Sequence, residues 1–236
     1  MTSVHWCLGM YSSGSTWLFN VARAIAACAN PGESGLSHFV PPKAPLAALP
    51  SLDTARFAVV KSHEIDVQAG AWLDARARCI LITLRDPRDA VLSLIRYQRL
   101  DFPTALDIAE RSAMACITRA DDRRALILRY EDGFTEDPTT VERAAKAMGY
   151  ELCAADYKRI LADNRREAVE TYIAQLARSG RVLRQVGGDD FFDPITHWHK
   201  HHAGRTGRIG GWREGLASGQ SKMIEDRFSD RMALWP

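Results

Sequence analysis

Two rhythms of apolar residues alternate in this chain. Continuous runs rich in apolar and β-branched residues occur at 4–9 (VHWCLG), 56–61 (RFAVVK), 79–85 (CILITLR) and 125–131 (ALILRYE), each the length of a buried strand. Between them apolar positions recur at helical spacing, as in TWLFNVARAIAACA at 16–29. Strands separated by helices predict an α/β fold: a parallel sheet flanked by its crossover helices. Ligands of such sheets gather beyond the carboxyl ends of the strands. Each run ends in chemistry there: the loop GMYSSGST at 9–16, Lys61-Ser62-His63, Arg85-Asp86-Pro87-Arg88, and Tyr130-Glu131-Asp132.

Outside these units the rhythm changes. Residues 30–55 are dense in proline, with His38 and Lys43 among them, and read as an irregular excursion. From 138 to 178 the pattern is helical, with Asp137-Pro138 as one helix start and Gly149 as its stop. Residues 187–215 are dense in Gly, His and Arg, and EDRFSDRMALWP at the end reads as an amphipathic helix and tail. With no repeat or low-complexity tract, the expectation is one domain over 1–236, with lid or substrate segments at 30–55 and 164–200.

Composition narrows the function. The 236 residues carry 31 basic and 29 acidic side chains, a net charge of +2, too balanced for a general nucleic-acid or anionic-membrane binder. Any anion site is therefore local. The five cysteines are scattered, with Cys7 and Cys79 inside strand-like runs, and read as reduced core residues. No run approaches the roughly 18 apolar residues of a membrane span, and the start of the chain lacks a leader-like pattern. A soluble cytoplasmic protein is the expectation.

The loop at 9–16 has the spacing G-x-x-x-x-G-K-[ST] with Ser15 in place of the lysine. A glycine-bounded turn from strand into helix aims backbone N–H groups and a positive helix end at one point, which favours phosphate or sulfate. Without the lysine, the charge that reaches the β and γ phosphates of a nucleoside triphosphate is missing, which argues against ordinary ATP or GTP hydrolysis. His63 follows its strand by two residues, with a near-neutral intrinsic pKa suited to a general base, and Lys61 shares its side of the extended chain. Asp86 and Pro87 are a helix start, with Arg85 before them and Ser93 within the helix. Arginines 205 and 208 alternate with glycines in GRTGRIGGWRE, a loop able to close over an anion.

Together these motifs resemble the P-loop-type sulfotransferases that use 3'-phosphoadenosine 5'-phosphosulfate (PAPS). The family's P-R-S-G-S-T-W or Y-P-K-S-G-T-T-W is similar to Tyr11-Ser12-Ser13-Gly14-Ser15-Thr16-Trp17, its K-T-H to Lys61-Ser62-His63, and its R-x-P-x-D-x-x-x-S to Arg85, Pro87, Asp89 and Ser93. Its Y-E-D matches Tyr130-Glu131-Asp132, and R-K-G-x-x-G-x-W-K is similar to Arg205-Thr206-Gly207 with Gly210, Trp212 and Arg213. Five motifs stand in the family's order. The resemblance implies that Ser12, Ser13, Gly14, Ser15, Thr16 and Trp17 hold the 5'-phosphosulfate, with Trp17 and Tyr130 near the adenine. Arg85, Ser93, Arg205, Thr206 and Gly207 would surround the 3'-phosphate. It implies His63 as general base, Lys61 as the cation that stabilises charge on the transferred sulfonate, adenosine 3',5'-bisphosphate (PAP) as product, and no metal.

One departure matters. Ser12 stands where the family has a loop lysine or arginine, a loss on the order of 100-fold in rate unless another cation, Lys61 or Arg208, replaces it. The family's dimerisation pattern is absent, so no oligomeric state carries over. Two alternatives stay open: a metal-dependent P-loop kinase of small molecules, from the G-x-x-x-x-G-x-T spacing, and a nucleotide-binding homologue impaired in catalysis, from Ser12. The acceptor, a small molecule or carbohydrate, is not encoded in any readable motif. His197, His199, His201 and His202 have metal-like spacing, but no nearby Cys or paired Asp/Glu completes a tetrahedral set, so no metal is expected.

Overall fold

A computed structural model describes residues 2–49, 51–52, 55–179, 182–184, 190–202 and 207–234. The strands β1 (Ser3–Gly9), β2 (Gly35–Phe39), β3 (Phe57–Ser62), β4 (Ala77–Leu84) and β5 (Ala125–Arg129) form a parallel sheet in the order β2-β3-β1-β4-β5. From β1 the chain goes first to the edge strand β2 and comes back inward to β3, then crosses β1 to β4 and β5. The crevice beyond the end of β1 is thus a switch point of the sheet, where α/β folds bind ligands.

Side-chain alternation sorts each central strand between two cores. Val4, Trp6 and Leu8, with Val60, Ile80 and Ile82, pack in one cluster with α2 (Val67–Arg76), α3 (Pro87–Gln98), α4 (Phe102–Ile117) and α9 (Ser218–Arg227). Cys7, Val59, Cys79 and Leu81 face the opposite cluster, with α1 (Ser15–Ala29), α5 (Thr140–Met148), α6 (Ala154–Asp163) and α7 (Arg166–Ser179). Because both faces are covered, these strands read as continuous apolar runs rather than alternating ones. Each fully buried Leu or Ile contributes about 1.5–3 kcal/mol. All five cysteines are free thiols, and no helix among the described residues is long and apolar enough to cross a membrane.

Three boundaries differ from the sequence pattern. Residues 35–39 (GLSHF) lie in the proline-dense excursion yet form β2, an edge strand whose short half-polar sequence is too weak to signal itself. Pairing with β3 creates it: Arg56 N–H donates to Ser34 at 2.8 Å and Val40 N–H to Lys61 at 2.8 Å. The helix expected at Pro138 begins at Thr140, because the Asp137 carboxylate takes the N–H and hydroxyl of Thr139 in a turn of its own. It does stop at Gly149, which is left-handed with φ of +77°. The helix expected at the end of the chain instead finishes at Arg227, and 229–234 continue as a 3-10 turn.

Candidate active site

Met10–Gly14 connect β1 to α1 within the switch-point crevice. Ser12 and Gly14 are left-handed, with φ of +61° and +80°, and this curls the loop into the form in which backbone N–H groups converge on an anion. At Gly14 a Cβ would lie 2.9 Å from the Phe134 ring, so the position needs glycine for space as well as for φ. Ser13 anchors the loop to β4: its hydroxyl donates to the Met10 carbonyl at 2.5 Å and lies 2.7 Å from Thr83 Oγ1. Ser15 and Thr16 open α1 and are buried, so the positive end of a 15-residue helix faces the loop.

The end of β3 reaches both ends of this loop. Lys61 Nζ donates to Thr16 Oγ1 at 2.7 Å, and His63 Nδ1 lies 2.7 Å from the Gly9 carbonyl oxygen. A carbonyl only accepts, so Nδ1 carries the proton and the lone pair of His63 is on Nε2. Burial, followed by the Lys61 charge, pushes the His63 imidazole down to about 3 and keeps it neutral. Burial also brings the Lys61 ammonium down to about 7. Tyr11 stacks on the imidazole at 4.1 Å, and Phe39, from edge strand β2, lies 6.1 Å from it and 5.6 Å from Lys61 Nζ.

At the end of β4, Arg85 is buried across the loop. Its Nη1 donates to the Ser12 carbonyl at 2.9 Å and its Nη2 to the Arg208 carbonyl at 3.2 Å, with the guanidinium 4.5 Å over the Tyr130 ring. Its buried Nε–H has no partner among the described residues. Of the two cations expected to offset Ser12, Lys61 is at the loop, whereas the exposed Arg208 guanidinium is bound to Glu214 at 2.6 and 2.8 Å. A cation in direct contact with the anomaly is Arg85, which local sequence could not place there because the contact spans 73 positions.

The remaining expected residues take varied places. Trp17 is buried, its indole N–H donating to the Asn164 carbonyl at 2.9 Å and its ring meeting Phe134. Gly207 lies so close to Tyr130 that a Cβ would sit 1.9 Å from the phenol oxygen. Ser93 is half-buried on α3. Arg205 and Thr206 lie outside the described residues. Asp89 has a part that motif reading did not assign: buried on α3, its carboxylate accepts from Gly210 N–H at 2.6 Å and Trp212 N–H at 2.9 Å, tying the Gly-rich turn to the site. The histidine cluster also differs from expectation. Asp190, which is distant from a paired-ligand spacing, accepts from His199 Nδ1 at 2.9 Å and His201 Nδ1 at 2.8 Å.

No protein-family model and no curated protein matches the chain. Among solved structures it is similar to mouse sulfotransferase SULT7A1 complexed with PAP, at 14% identity and a TM-score of 0.63, over 99% of this chain and 85% of that one. It is likewise similar to retinol dehydratase in complex with androsterone and the inactive cofactor PAP, at 15% identity and TM-score 0.63, covering 97% and 80% of the two chains. A complex of retinol dehydratase with retinol and PAP aligns at 16% identity and TM-score 0.63, over 98% and 81%. At these identities the likeness is one of fold: the chain has the P-loop-type α/β fold of these proteins.

Proposed function

We propose that the chain is a sulfotransferase that moves a sulfonate group from PAPS to a hydroxyl or amine of a small molecule. One observation carries the reading: Lys61 and His63, from a single strand end, contact opposite ends of a lysine-free anion loop, at Thr16 and Gly9. The fold shared with PAP-bound proteins supports it. So does the buried Nε–H of Arg85, which has no partner among the described residues and is a donor suited to an anion.

The described residues fit the co-substrate. The loop N–H groups of Ser12 and of residues 14–16 at the N-terminus of α1 would hold the phosphosulfate, that of Ser13 being turned to the Met10 carbonyl at 3.3 Å, while Arg85, Ser93 and Gly207 would surround the 3'-phosphate and Tyr130 the adenine. PAPS supplies the sulfonate and leaves as PAP. His63 Nε2 takes the acceptor's proton, and the Gly9 carbonyl holds the imidazole in the tautomer that does so. Lys61, fixed on Thr16, places an ammonium where negative charge gathers. The residues around His63 are aromatic: Tyr11, Phe39 and, 4.9 Å beyond Phe39, His197. Such walls suit an acceptor with an apolar or aromatic body, bounded by β2 within 30–55 and by the 164–200 segment.

The test is a comparison of nucleotides. PAP should raise the melting temperature well above the effect of equal AMP or ATP, and His63→Ala should abolish sulfonate transfer while retaining that shift. Equal stabilisation by AMP and PAP would overturn the reading, as would turnover surviving in His63→Ala.

A further inference from the structure

Beside the candidate active site, two short strands, β6 (Leu183–Arg184) and β7 (Phe191–Phe192), form an antiparallel pair, and a turn carries the chain from β7 to His202. Asp193 pins this turn: its carboxylate accepts from Ile195 N–H at 3.0 Å, from the Thr196 hydroxyl at 2.6 Å and from the Tyr172 hydroxyl at 2.5 Å. Phe192 also bridges to His199. The turn brings three potential ligands to one point, Asp190, His199 and His201, whose ligand atoms all lie within 4.8 Å of one another.

The geometry points to a divalent transition-metal site formed by Asp190, His199 and His201, of which Zn²⁺ is the natural occupant. Both imidazoles direct Nδ1 at the same carboxylate oxygen, Asp190 Oδ2, at 2.9 and 2.8 Å. In a tetrahedral zinc centre with bonds of about 2.0–2.1 Å, ligand atoms stand about 3.3 Å apart, so to admit the ion the carboxylate oxygen backs away from each imidazole by about half an ångström and the ligand atoms, already within 4.8 Å of one another, settle around it. Two imidazoles and one carboxylate are a donor set that prefers zinc and its first-row neighbours to Mg²⁺ or Ca²⁺. Three protein ligands leave a fourth position for water.

Other contacts already orient the set. The Asp190 Oδ1 atom accepts from His201 N–H at 3.3 Å, and His202 Nδ1 accepts from His199 N–H at 3.0 Å. Half-burial of all three side chains, at 20–24% exposure, leaves a path for the ion while shielding its charge. The site stands apart from the transfer chemistry but is linked to it by rings. His199 stacks on Phe192 at 5.0 Å, Phe192 on His197 at 5.9 Å, and His197 meets Phe39, the residue beside His63 and Lys61. A metal here would clamp the turn that borders the proposed acceptor side. The inference rests on these ligand positions and not on the identity of the transferred group.

The experiment uses the full chain with any affinity tag removed. Zn²⁺ alone is titrated by calorimetry, and Co²⁺ alone is followed by its visible ligand-field absorption. One equivalent of Zn²⁺ should bind, and Co²⁺ should give the intense bands of a tetrahedral site. Asp190→Asn and His201→Ala should each weaken binding by at least about tenfold. Asp190→His, which restores a donor, should retain binding and show that folding is intact. A Cys28→Ser/Cys153→Ser variant should bind as the parent does, excluding the half-buried and exposed thiols as the source. Absence of stoichiometric binding would overturn the proposal, as would parent-like affinity in both Asp190→Asn and His201→Ala, or loss of binding in the cysteine variant.

Discussion

Ser12 and Arg85 explain each other. A non-glycine residue in the left-handed region costs about 1–2 kcal/mol, and a hydrogen bond from a charged donor contributes about 1.5–3 kcal/mol. The Arg85 bond to the Ser12 carbonyl therefore offsets the strain and brings a guanidinium to a loop that lacks its own cation. Adding a second cation there should gain little: Ser12→Lys is expected to change kcat/KM by less than about tenfold, whereas Arg85→Gln should lower it by more than that, measured with PAPS at fixed acceptor. Lys61 sets a further expectation. Its burial lowers the ammonium to about 7, so kcat/KM should fall on the alkaline side from near that pH as the charge is lost. No acid limb should appear near 6.5, since His63 is held neutral down to about 3. Lys61→Arg should move the alkaline limb out of range, and a limb unchanged in that variant would remove Lys61 from the assignment.

The connections between elements govern the anion site more than the elements do. The β1–α1 turn depends on Gly14, where alanine would meet both a left-handed φ and the Phe134 ring. Gly14→Ala should destabilise the fold by about 1–3 kcal/mol by urea unfolding and weaken PAP binding in parallel. On the far side, α3 holds the Gly210–Trp212 turn through two charge-assisted bonds at Asp89. Asp89→Asn sets an amide NH₂ against one of those N–H groups, and the PAP dissociation constant should rise about tenfold, equivalent to 1.4 kcal/mol. The three central strands were legible in their runs because a strand buried on both faces carries its signal in its own composition, and β5, at one edge, was legible in its apolar ALIL run. The edge strand β2 was not, because GLSHF becomes a strand through pairing with β3.

Across the entire fold, several histidines share one consequence of burial. His5, His63 and His197 are lowered to about 4, about 3 and about 3, in each case chiefly by burial. Above 6.5 neither the folded nor the unfolded chain protonates them. As pH falls below 6.5 the unfolded chain binds protons that the folded one refuses, so stability is lost progressively toward 4, by up to about 1.4 kcal/mol per pH unit for each group. Urea unfolding at pH 7 and pH 5 should show this loss, and His197→Phe should reduce it; an equal loss in that variant would remove His197 from the set. The same contrast between local and distant information runs through the molecule. The α/β alternation, the anion loop at the end of β1 and the chemistry at the other strand ends were all present in runs of a few residues, because helix and strand periodicity and turn formation act over neighbouring positions. The pairing of Arg85 with Ser12, the use of Asp89 as a clamp and the meeting of Asp190 with His199 and His201 were not. Those are contacts between side chains whose approach depends on how sheet, helices and the 190–202 turn pack, and no short stretch of sequence carries that information.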